Sequence, residues 1–459
     1  MDPRVTTLND RPVRAGAKYV LYWMQMNRRA RSNHALEHAA AQANRLGLPL
    51  LVYEGLTYRY PYASDRLHAF LLEGVPETVR RLRARGIGYV FYLRRRESDP
   101  GDVLYRISGD AAMVVADDYP VFVAARHNAN VPGRIGVRYD VVESTCVVPA
   151  ALFDKKEYGA YTLRPKLRRV LPEWMRPVER VPVEHPWTGP VPAFHTEVTE
   201  SNARGLAAEC DIDHSVKPSI CFTGGAIQAE ARLRAFLESD LKRYERDRNE
   251  PAAHATSNLS PWLHFGHISA LEVALAARLH ASENGLPGEG FLEELIVRRE
   301  LAYNHARLAA DPASLDSLPQ WARATLDKQR AVSREFLYTP EEFETARTHD
   351  ALWNACQTEL LLRGKIHGYY RMYWGKKIIE WSASPEEALE TMVRLNDRYA
   401  LDGRDPNGYT NILWCFGLHD RPWQERPVFG MVRTMTLGGM KRKTGVDAYL
   451  REIAWLAVQ

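Results

Sequence analysis

The first third of the chain alternates short apolar segments with longer segments of helical spacing. Residues 33–46 and 66–85 have the apolar repeat and the length of amphipathic helices. The strand-like segments, rich in β-branched and aromatic residues, lie at 18–24, 49–53, 88–93, 112–116 and 137–142. This alternation predicts an α/β domain with a Rossmann-like, mostly parallel sheet. No GxGxxG motif follows the first strand, so the ordinary dinucleotide-binding fingerprint is absent.

Beyond residue 171 the pattern changes twice. Residues 172–222 are rich in proline and mostly lack periodicity, which predicts an interdomain linker that runs over the surface. From residue 223 the apolar spacing is almost wholly helical, with the clearest repeats at 224–244, 270–281, 291–309, 351–366 and 368–381. The sequence therefore predicts an α/β domain over 1–171, the linker, and an all-α domain over 223–459.

Composition narrows the class of protein only a little. A chain of 459 residues that is 45% hydrophobic and 26% charged is typical of a soluble protein with two or three domains. The net charge of +4 permits binding to a polyanion but does not demonstrate it. We expect a monomer.

The cysteines and the apolar runs exclude several other classes. The five cysteines form no CxxC pair, so we expect reduced thiols, a cytoplasmic location and no metal site. The first 14 residues have no apolar core, so they do not resemble a secretory signal. No apolar run approaches the roughly 20 residues that span a bilayer, and we expect no membrane partner.

The most unusual segment is 348–381, which mixes tryptophans and tyrosines with lysines and arginines. Trp374 and Trp381 are two helical turns apart and share one face of a helix. Nucleic-acid surfaces combine cations for phosphates with rings for bases. A buried helix with lysines that extend their ammonium groups to solvent would have the same composition, so composition leaves both interpretations open.

Six distinctive motifs follow one another in the second half of the chain: SNLSPWLHFGHIS (257–269), FLEELIVRREL (291–301), THDALWNACQ (348–357), GKIHGYYRMYWGKKIIEW (364–381), LNDRYALDGRDPNGY (395–409) and ERPVFGMVR (425–433). In this order they resemble the class II photolyases of the photolyase/cryptochrome family. The resemblance is dense over 223–445 and looser at 22–39 and 154–167. The resemblance implies an α/β antenna domain joined to a helical domain that holds FAD.

The activity that this resemblance implies is light-driven repair of cyclobutane pyrimidine dimers. The active cofactor would be fully reduced, anionic FADH⁻, and the partner would be UV-damaged DNA with the dimer flipped out of the duplex. A deazaflavin of the 8-HDF type is the implied antenna chromophore. Family members often have Asp where Met26 and Asn27 stand, so this chain departs from the pattern that accompanies antenna binding. The protein would act at the nucleoid.

The resemblance also implies which residues hold FAD. Arg371 and Asp402 match the family's ion pair beside the isoalloxazine, and Asn396 matches the amide that faces N5. The remaining positions are Tyr244, Thr256, Ser257, Asn258, Leu259 and Ser260, the last five at a predicted helix start that suits a diphosphate. Considered singly, these residues would suggest a plain N-cap, a surface ion pair and a helix C-cap.

Electron supply and lesion binding complete the implied site. Trp374, Trp353 and Trp381, in that order from the flavin, match the tryptophans that pass electrons inward from the surface. Around the lesion the resemblance implies a protonated Glu294 in a dry pocket, Met372 on the flavin side and the ring of Trp414. Glu294 could instead pair with a neighbouring arginine. DNA contacts are implied at Arg248, Asn249, Arg433, Lys441 and Arg442, where solvated surface is an equally good interpretation.

A second departure from the family pattern is Arg298, which stands where some members have Trp, although a guanidinium plane can also stack on bases. Two other functions remain open. A cryptochrome-like blue-light signalling protein would share the flavin fold but tends to lose the lesion contacts, and Glu294 and Trp414 are both present. Repair of the (6-4) photoproduct would require a histidine pair over the lesion, which the sequence does not place.

Overall fold

The N-terminal part of the molecule is a six-stranded sheet in a computed structural model that describes residues 2–458. The strand order is β1-β6-β5-β2-β3-β4, and all neighbours are parallel except β1 and β6. The strands are β1 (Val5–Thr7), β2 (Tyr19–Trp23), β3 (Leu50–Thr57), β4 (Gly88–Arg94), β5 (Ala111–Asp117) and β6 (Arg138–Val142). The predicted parallel sheet is confirmed, and only the short β1 was not predicted.

Helices cover this sheet and extend to the start of the proline-rich segment. They are α1 (His34–Leu46), α2 (Asp65–Leu72), α3 (Val75–Arg83), α4 (Val103–Ser108), α5 (Phe122–Asn130) and α6 (Ala160–Trp174). The single helix predicted over 66–85 is wrong, because it breaks at Gly74 into α2 and α3. A Cβ at Gly74 would lie 2.7 Å from His267 Nε2 and 3.2 Å from the Gly225 Cα. The break at this glycine therefore allows two segments of the helical part to pack closely against the chain.

Beyond α6, all of the named secondary-structure elements in the described chain are helices. One short helix, α7 (Ala203–Ala208), interrupts the proline-rich segment, and the domain limits at 171 and 223 stay predictions. The remaining helices are α8 (Ala226–Ala235), α9 (Leu241–Asp247), α10 (Ser260–His264), α11 (Ala270–Asn284), α12 (Glu289–Leu292), α13 (Arg299–Leu308), α14 (Gln320–Lys328), α15 (Pro340–Glu344), α16 (Ala351–Arg363), α17 (Gly368–Trp381), α18 (Pro385–Tyr399), α19 (Pro406–Cys415), α20 (Leu437–Lys443) and α21 (Val446–Leu456). Between 2 and 458, no helix has the length and apolarity that a bilayer crossing requires.

A buried carboxylate fixes the loop that joins the sheet to the helices. Asp117 Oδ2, at the end of β5, accepts hydrogen bonds from the backbone amides of Gln25, Met26 and Asn27 at 2.8, 2.7 and 3.0 Å. The same loop meets the helical part at Gly266, whose φ is +76°. A Cβ there would overlap the Met26 carbonyl oxygen, so this contact requires glycine.

Candidate functional site

A cleft of about 410 Å³ lies among the C-terminal helices. This volume is in the range of small-molecule sites. Twelve of the residues singled out in the sequence line it: Tyr244, Thr256, Ser257, Asn258, Leu259, Ser260, Glu294, Arg371, Met372, Trp374, Asn396 and Asp402. Residues 256–260, α17 and α18 are far apart in the chain, so the fold brings these twelve side chains together.

Asp402 is the electrostatic centre of the cleft. Its carboxylate accepts from Arg371 Nη2 at 2.8 Å and from Ser260 Oγ at 2.6 Å, and Lys365 Nζ lies 3.4 Å away. Burial opposes ionisation, but Arg371, Lys365 and the Ser260 hydroxyl outweigh it and hold the pKa of Asp402 well below its usual range. Two cations therefore share one anion in a buried site.

This charge balance leaves room for a bound anion. Burial lowers the pKa of Lys365, and Asp402 opposes that shift. Lys365 was not singled out in the sequence, although it lies inside the GKIHGYY motif beside His367, which also lines the cleft. A polyanionic cofactor would meet the surplus positive charge here.

The loop 256–260 turns tightly along the cleft wall. Arg232 donates to the backbone carbonyls of Ser257 at 2.8 Å and Thr256 at 3.0 Å, and these two hydrogen bonds hold the loop backbone in place. Asn258 has a φ of +54°, a left-handed conformation that asparagine tolerates better than most residues. The helix start predicted here is confirmed, because α10 begins at Ser260.

Asn396 lies in the last turn of α18 and is buried in the cleft wall. It is not the helix C-cap, which is Ala400. Its Nδ2 donates to Asp397 Oδ1 at 3.0 Å, and a Cβ at Gly408 would lie 3.2 Å from that nitrogen. The amide is thus held at the edge of the cleft with its oxygen free of the Asp397 bond.

The three tryptophans form a continuous line that starts at the cleft. The rings of Trp374 and Trp353 are parallel within 5° with centroids 6.5 Å apart, and Trp381 follows Trp353 at 6.2 Å. Trp381 does not reach the surface as expected; it is 3% exposed, under Tyr338 and His349 at 5.6 and 4.9 Å. The predicted order is geometrically sound, but its outer end is covered.

The mouth of the cleft differs from the expectation. Arg248 Nη1 donates to Glu294 Oε1 at 2.6 Å, and 41% of the Glu294 side chain is exposed. Glu294 is therefore paired and partly exposed here, whereas the resemblance implied a carboxyl in a dry pocket, and its role at the lesion stays a prediction. The partner of Glu294 is Arg248, the C-cap residue of α9, and neither Arg298 nor Arg299 pairs with this carboxyl.

The ring of Trp414 lies outside the cleft lining, although its helix α19 contributes Asn411, Ile412 and Cys415 to that lining. Arg298 places its guanidinium 5.3 Å from the centroid of the Trp414 ring, as a cation–π pair.

The proposed DNA contacts differ in their exposure and in their relation to the cleft. Asn249, Lys441 and Arg442 are exposed, whereas Arg433 is half-buried and lies 5.2 Å from the Trp423 ring. Arg248 is bonded to Glu294 of the cleft lining.

A second cavity, of about 570 Å³, opens at the carboxyl ends of the parallel strands. Trp23 at the end of β2, Tyr53 of β3, Tyr92 of β4 and Tyr119 just after β5 line it. Such crevices are the usual ligand sites of open parallel sheets. Met26 also lines this cavity, whereas Asn27 does not and instead bonds Asp117 Oδ1 at 2.9 Å.

One side-chain relay connects the two cavities, and none of its residues was singled out in the sequence. His264 lines both cavities, and its Nδ1 lies 3.1 Å from Asp405 Oδ2. The same oxygen accepts from the Tyr119 hydroxyl at 2.7 Å. Within residues 2–458, no group of His, Cys, Asp and Glu side chains is arranged to hold a metal ion.

Comparison with known proteins identifies the relatives of this arrangement. A sequence model described as DNA photolyase matches residues 20–185. The chain is 42% identical over 456 residues to a deoxyribodipyrimidine photo-lyase of Methanothermobacter thermautotrophicus, covering 99% of this chain and 98% of the relative. It is 41% identical over 458 residues to the photo-lyase of that name from Oryza sativa subsp. japonica, covering 96% and 88%.

The fold is also found among solved structures. The archaeal photolyase from Sulfolobus tokodaii, described with two FAD molecules, superposes with a TM-score of 0.66 at 17% identity. The match covers 94% of this chain and 90% of that one. At this identity the likeness concerns the fold alone, and it confirms the α/β plus all-α architecture.

We predict that Asp402→Asn destabilises the protein by about 3 kcal/mol at neutral pH, because Arg371 and Lys365 lose their buried counter-charge. The depressed pKa of Asp402 means that its stabilisation is complete above the unfolded pKa of about 4 and is lost as the pH falls further. The difference between wild type and variant should therefore shrink below about pH 4. Urea unfolding across a pH series measures it. Asp327→Asn, which breaks the exposed pair with Arg330, should change little, and equal losses in both variants would contradict the prediction.

Proposed function

The chain belongs to the DNA photolyase family, and on that premise we propose that it is a class II enzyme that repairs cyclobutane pyrimidine dimers with light. The observation that carries the proposal is the composition of one cleft. Arg371 and Lys365 share the buried Asp402 inside it, the row of tryptophans begins at its wall, and Glu294 lies at its mouth. A flavin cofactor, an electron supply and a lesion would each need one of these three features. As a deoxyribodipyrimidine photolyase, the protein acts on damaged DNA.

The charges and the hydrogen-bonding groups of the cleft fit FAD. Lys365 and the hydroxyls of Thr256, Ser257 and Ser260 would hold the diphosphate, and Arg371 would balance an anionic ring system. Asn396 would face the ring nitrogen that changes protonation with redox state. When bound, reduced FAD supplies the photo-excited electron that splits the dimer.

The residues at the mouth would then receive the flipped dimer. Met372 would contact it from the inner side and Trp414 from the outer side. Once released from Arg248, the protonated carboxyl of Glu294 would donate a hydrogen bond to a base carbonyl. Arg248 would turn from Glu294 towards the damaged strand, because a phosphate offers a guanidinium a second charged partner. Asn249, Arg433, Lys441 and Arg442 would add further contacts to the strand, mostly to its phosphates, which makes binding salt-dependent.

The tryptophans would restore the reduced cofactor. With FAD bound, Trp374 would give one electron to the photo-excited isoalloxazine, Trp353 would refill Trp374, and Trp381 would refill Trp353. A soluble thiol would return one electron to Trp381 and would release a proton as it becomes a thiyl radical. Short ring-to-ring distances support this order.

The second cavity would hold an antenna chromophore. A deazaflavin of the 8-HDF type is our first candidate, since the cavity is lined largely by rings and apolar side chains with a few arginines. The relative from Sulfolobus tokodaii is described with two FAD molecules, so a second flavin is the alternative occupant. A monomeric state and a cytoplasmic, nucleoid-associated location stay predictions.

Two other functions have less support. Cryptochrome-like signalling is not favoured, because the relatives that align over nearly the whole chain are named photo-lyases. Repair of the (6-4) photoproduct would need histidines over the lesion. His305 and His419 do lie 5.8 Å apart, but neither lines the cleft.

The purified, fully reduced protein should restore dimer-containing oligothymidine under blue or near-UV light and leave it unchanged in darkness. The reason is that only the excited cofactor can donate the electron. Repair is followed by the return of thymine absorbance. No repair under light with a fully reduced flavin would refute the proposal.

Glu294→Ala should lower the quantum yield of repair about tenfold while FAD content is unchanged. The loss of one stabilising hydrogen bond to the radical anion accounts for that factor. Affinity for DNA should not fall, because Arg248 becomes free for the backbone. Glu289→Gln, an exposed change in the preceding helix, is the matched control. An unchanged yield in Glu294→Ala would remove this role for the carboxyl.

Trp381→Phe should slow photoreduction of the oxidised protein by at least tenfold, because the electron hole then stops at Trp353. Repair by protein reduced chemically in advance should stay at the wild-type level. The time course of flavin bleaching under blue light measures the effect, with the exposed Trp455→Phe as control. Normal photoreduction in Trp381→Phe would refute the proposed chain.

A further inference from the structure

Gln357 contacts the tryptophan closest to the cleft. Its Oε1 accepts a hydrogen bond from Trp374 Nε1 at 3.0 Å, and its Nε2 donates to the Glu344 carbonyl at 3.2 Å. An indole N–H can only donate and a carbonyl oxygen can only accept, so these two partners fix the orientation of the amide. Gln357 is fully buried in α16, which keeps water from replacing either bond.

Such an acceptor matters only when Trp374 loses an electron. The indole then carries a positive charge and its N–H becomes strongly acidic. A hydrogen bond from a charged donor is stronger than one from a neutral donor, so the amide oxygen stabilises the oxidised ring more than the resting ring. An amide oxygen is also a very weak base, so it leaves the proton on the nitrogen.

The next tryptophan has the same kind of partner. Trp353 Nε1 donates to the Trp374 backbone carbonyl at 3.0 Å, another oxygen that does not take a proton. The carboxylate of Asp350, at the start of the same helix, is occupied by the Tyr373 hydroxyl and by the Trp353 backbone amide. Neither of the two inner N–H groups therefore bonds to a base.

We propose that Gln357 is a positioning residue of the electron chain, which stabilises the cation radical of Trp374 without accepting its proton. With FAD bound, Trp374 would lose one electron to the photo-excited isoalloxazine and would receive one electron from Trp353. No proton would move at either indole, so the positive charge would stay mobile and pass outward. The inference rests on the proposed electron chain and assigns a function to a side chain outside the cleft.

The first test removes the acceptor and keeps the volume. In Gln357→Met the first electron transfer should be about tenfold slower, which corresponds to about 1.4 kcal/mol of added activation free energy. Gln357→Glu keeps an acceptor oxygen in either protonation state and should stay within about twofold of the wild-type rate or exceed it. Decay of the excited flavin and rise of the tryptophan radical, followed by transient absorption of the FAD-loaded oxidised protein, report the rate.

The control separates this role from packing. Gln329→Met is the same substitution at another buried glutamine, which bonds Glu425 away from the tryptophans, and its rate should match the wild type. A rate for Gln357→Met within twofold of the wild type would overturn the inference, as would an equal slowing in Gln357→Glu. If Gln357→Met does not retain FAD, Gln357→Glu decides alone: a rate slowed beyond twofold overturns the inference and a preserved rate supports it.

Trp374→Phe distinguishes failure of this inference from failure of the chain itself. If fast electron transfer persists in Trp374→Phe, the electron chain of the proposed function is wrong, whatever Gln357 does. If it disappears there while Gln357→Met behaves as wild type, only the role of Gln357 is refuted. The transient absorption spectrum of the Trp374 radical gives a second readout, because in the wild-type protein this radical should be the protonated cation.

Discussion

The whole cleft depends on the shared charge of Asp402. One buried carboxylate holds Arg371 at the start of α17, Lys365 in the preceding turn and Ser260 at the start of α10. Each ion alone would be costly to bury, and only the close set makes the arrangement stable. The same bonds that stabilise this region also set the electrostatic potential that a cofactor would experience. Stability and cofactor chemistry are therefore properties of one network.

The sheet contributes to this site through its contact with the helices. Asp117 shapes the loop after β2, and that loop meets Gly266 without space for a side chain. Beside this contact, His264 and Phe265 of the helical part join the lining of the second cavity. His264 also lines the first cavity, so a substitution at this residue would alter both.

The sequence predicted the elements well because burial follows apolar spacing. It missed the break at Gly74 because the apolar repeat continues through residues 66–85, and the cause is a contact with Gly225 and His267 far along the chain. Family motifs located most of the cleft lining. They did not reveal that Lys365 reaches Asp402 or that Arg248 bonds Glu294, since both facts depend on how separate segments meet in space.

The bond between Arg248 and Glu294 would link two tasks that are otherwise independent. Under the proposed function Arg248 would hold the nucleic-acid backbone and Glu294 would contact the damaged bases, yet the two side chains are bonded to each other. Their energies are then non-additive, because a substitution at one changes the charge environment of the other. Binding of the strand to Arg248 would release the Glu294 carboxyl as the dimer arrives. A single competition for the Arg248 guanidinium would therefore couple DNA binding to contact with the damaged bases.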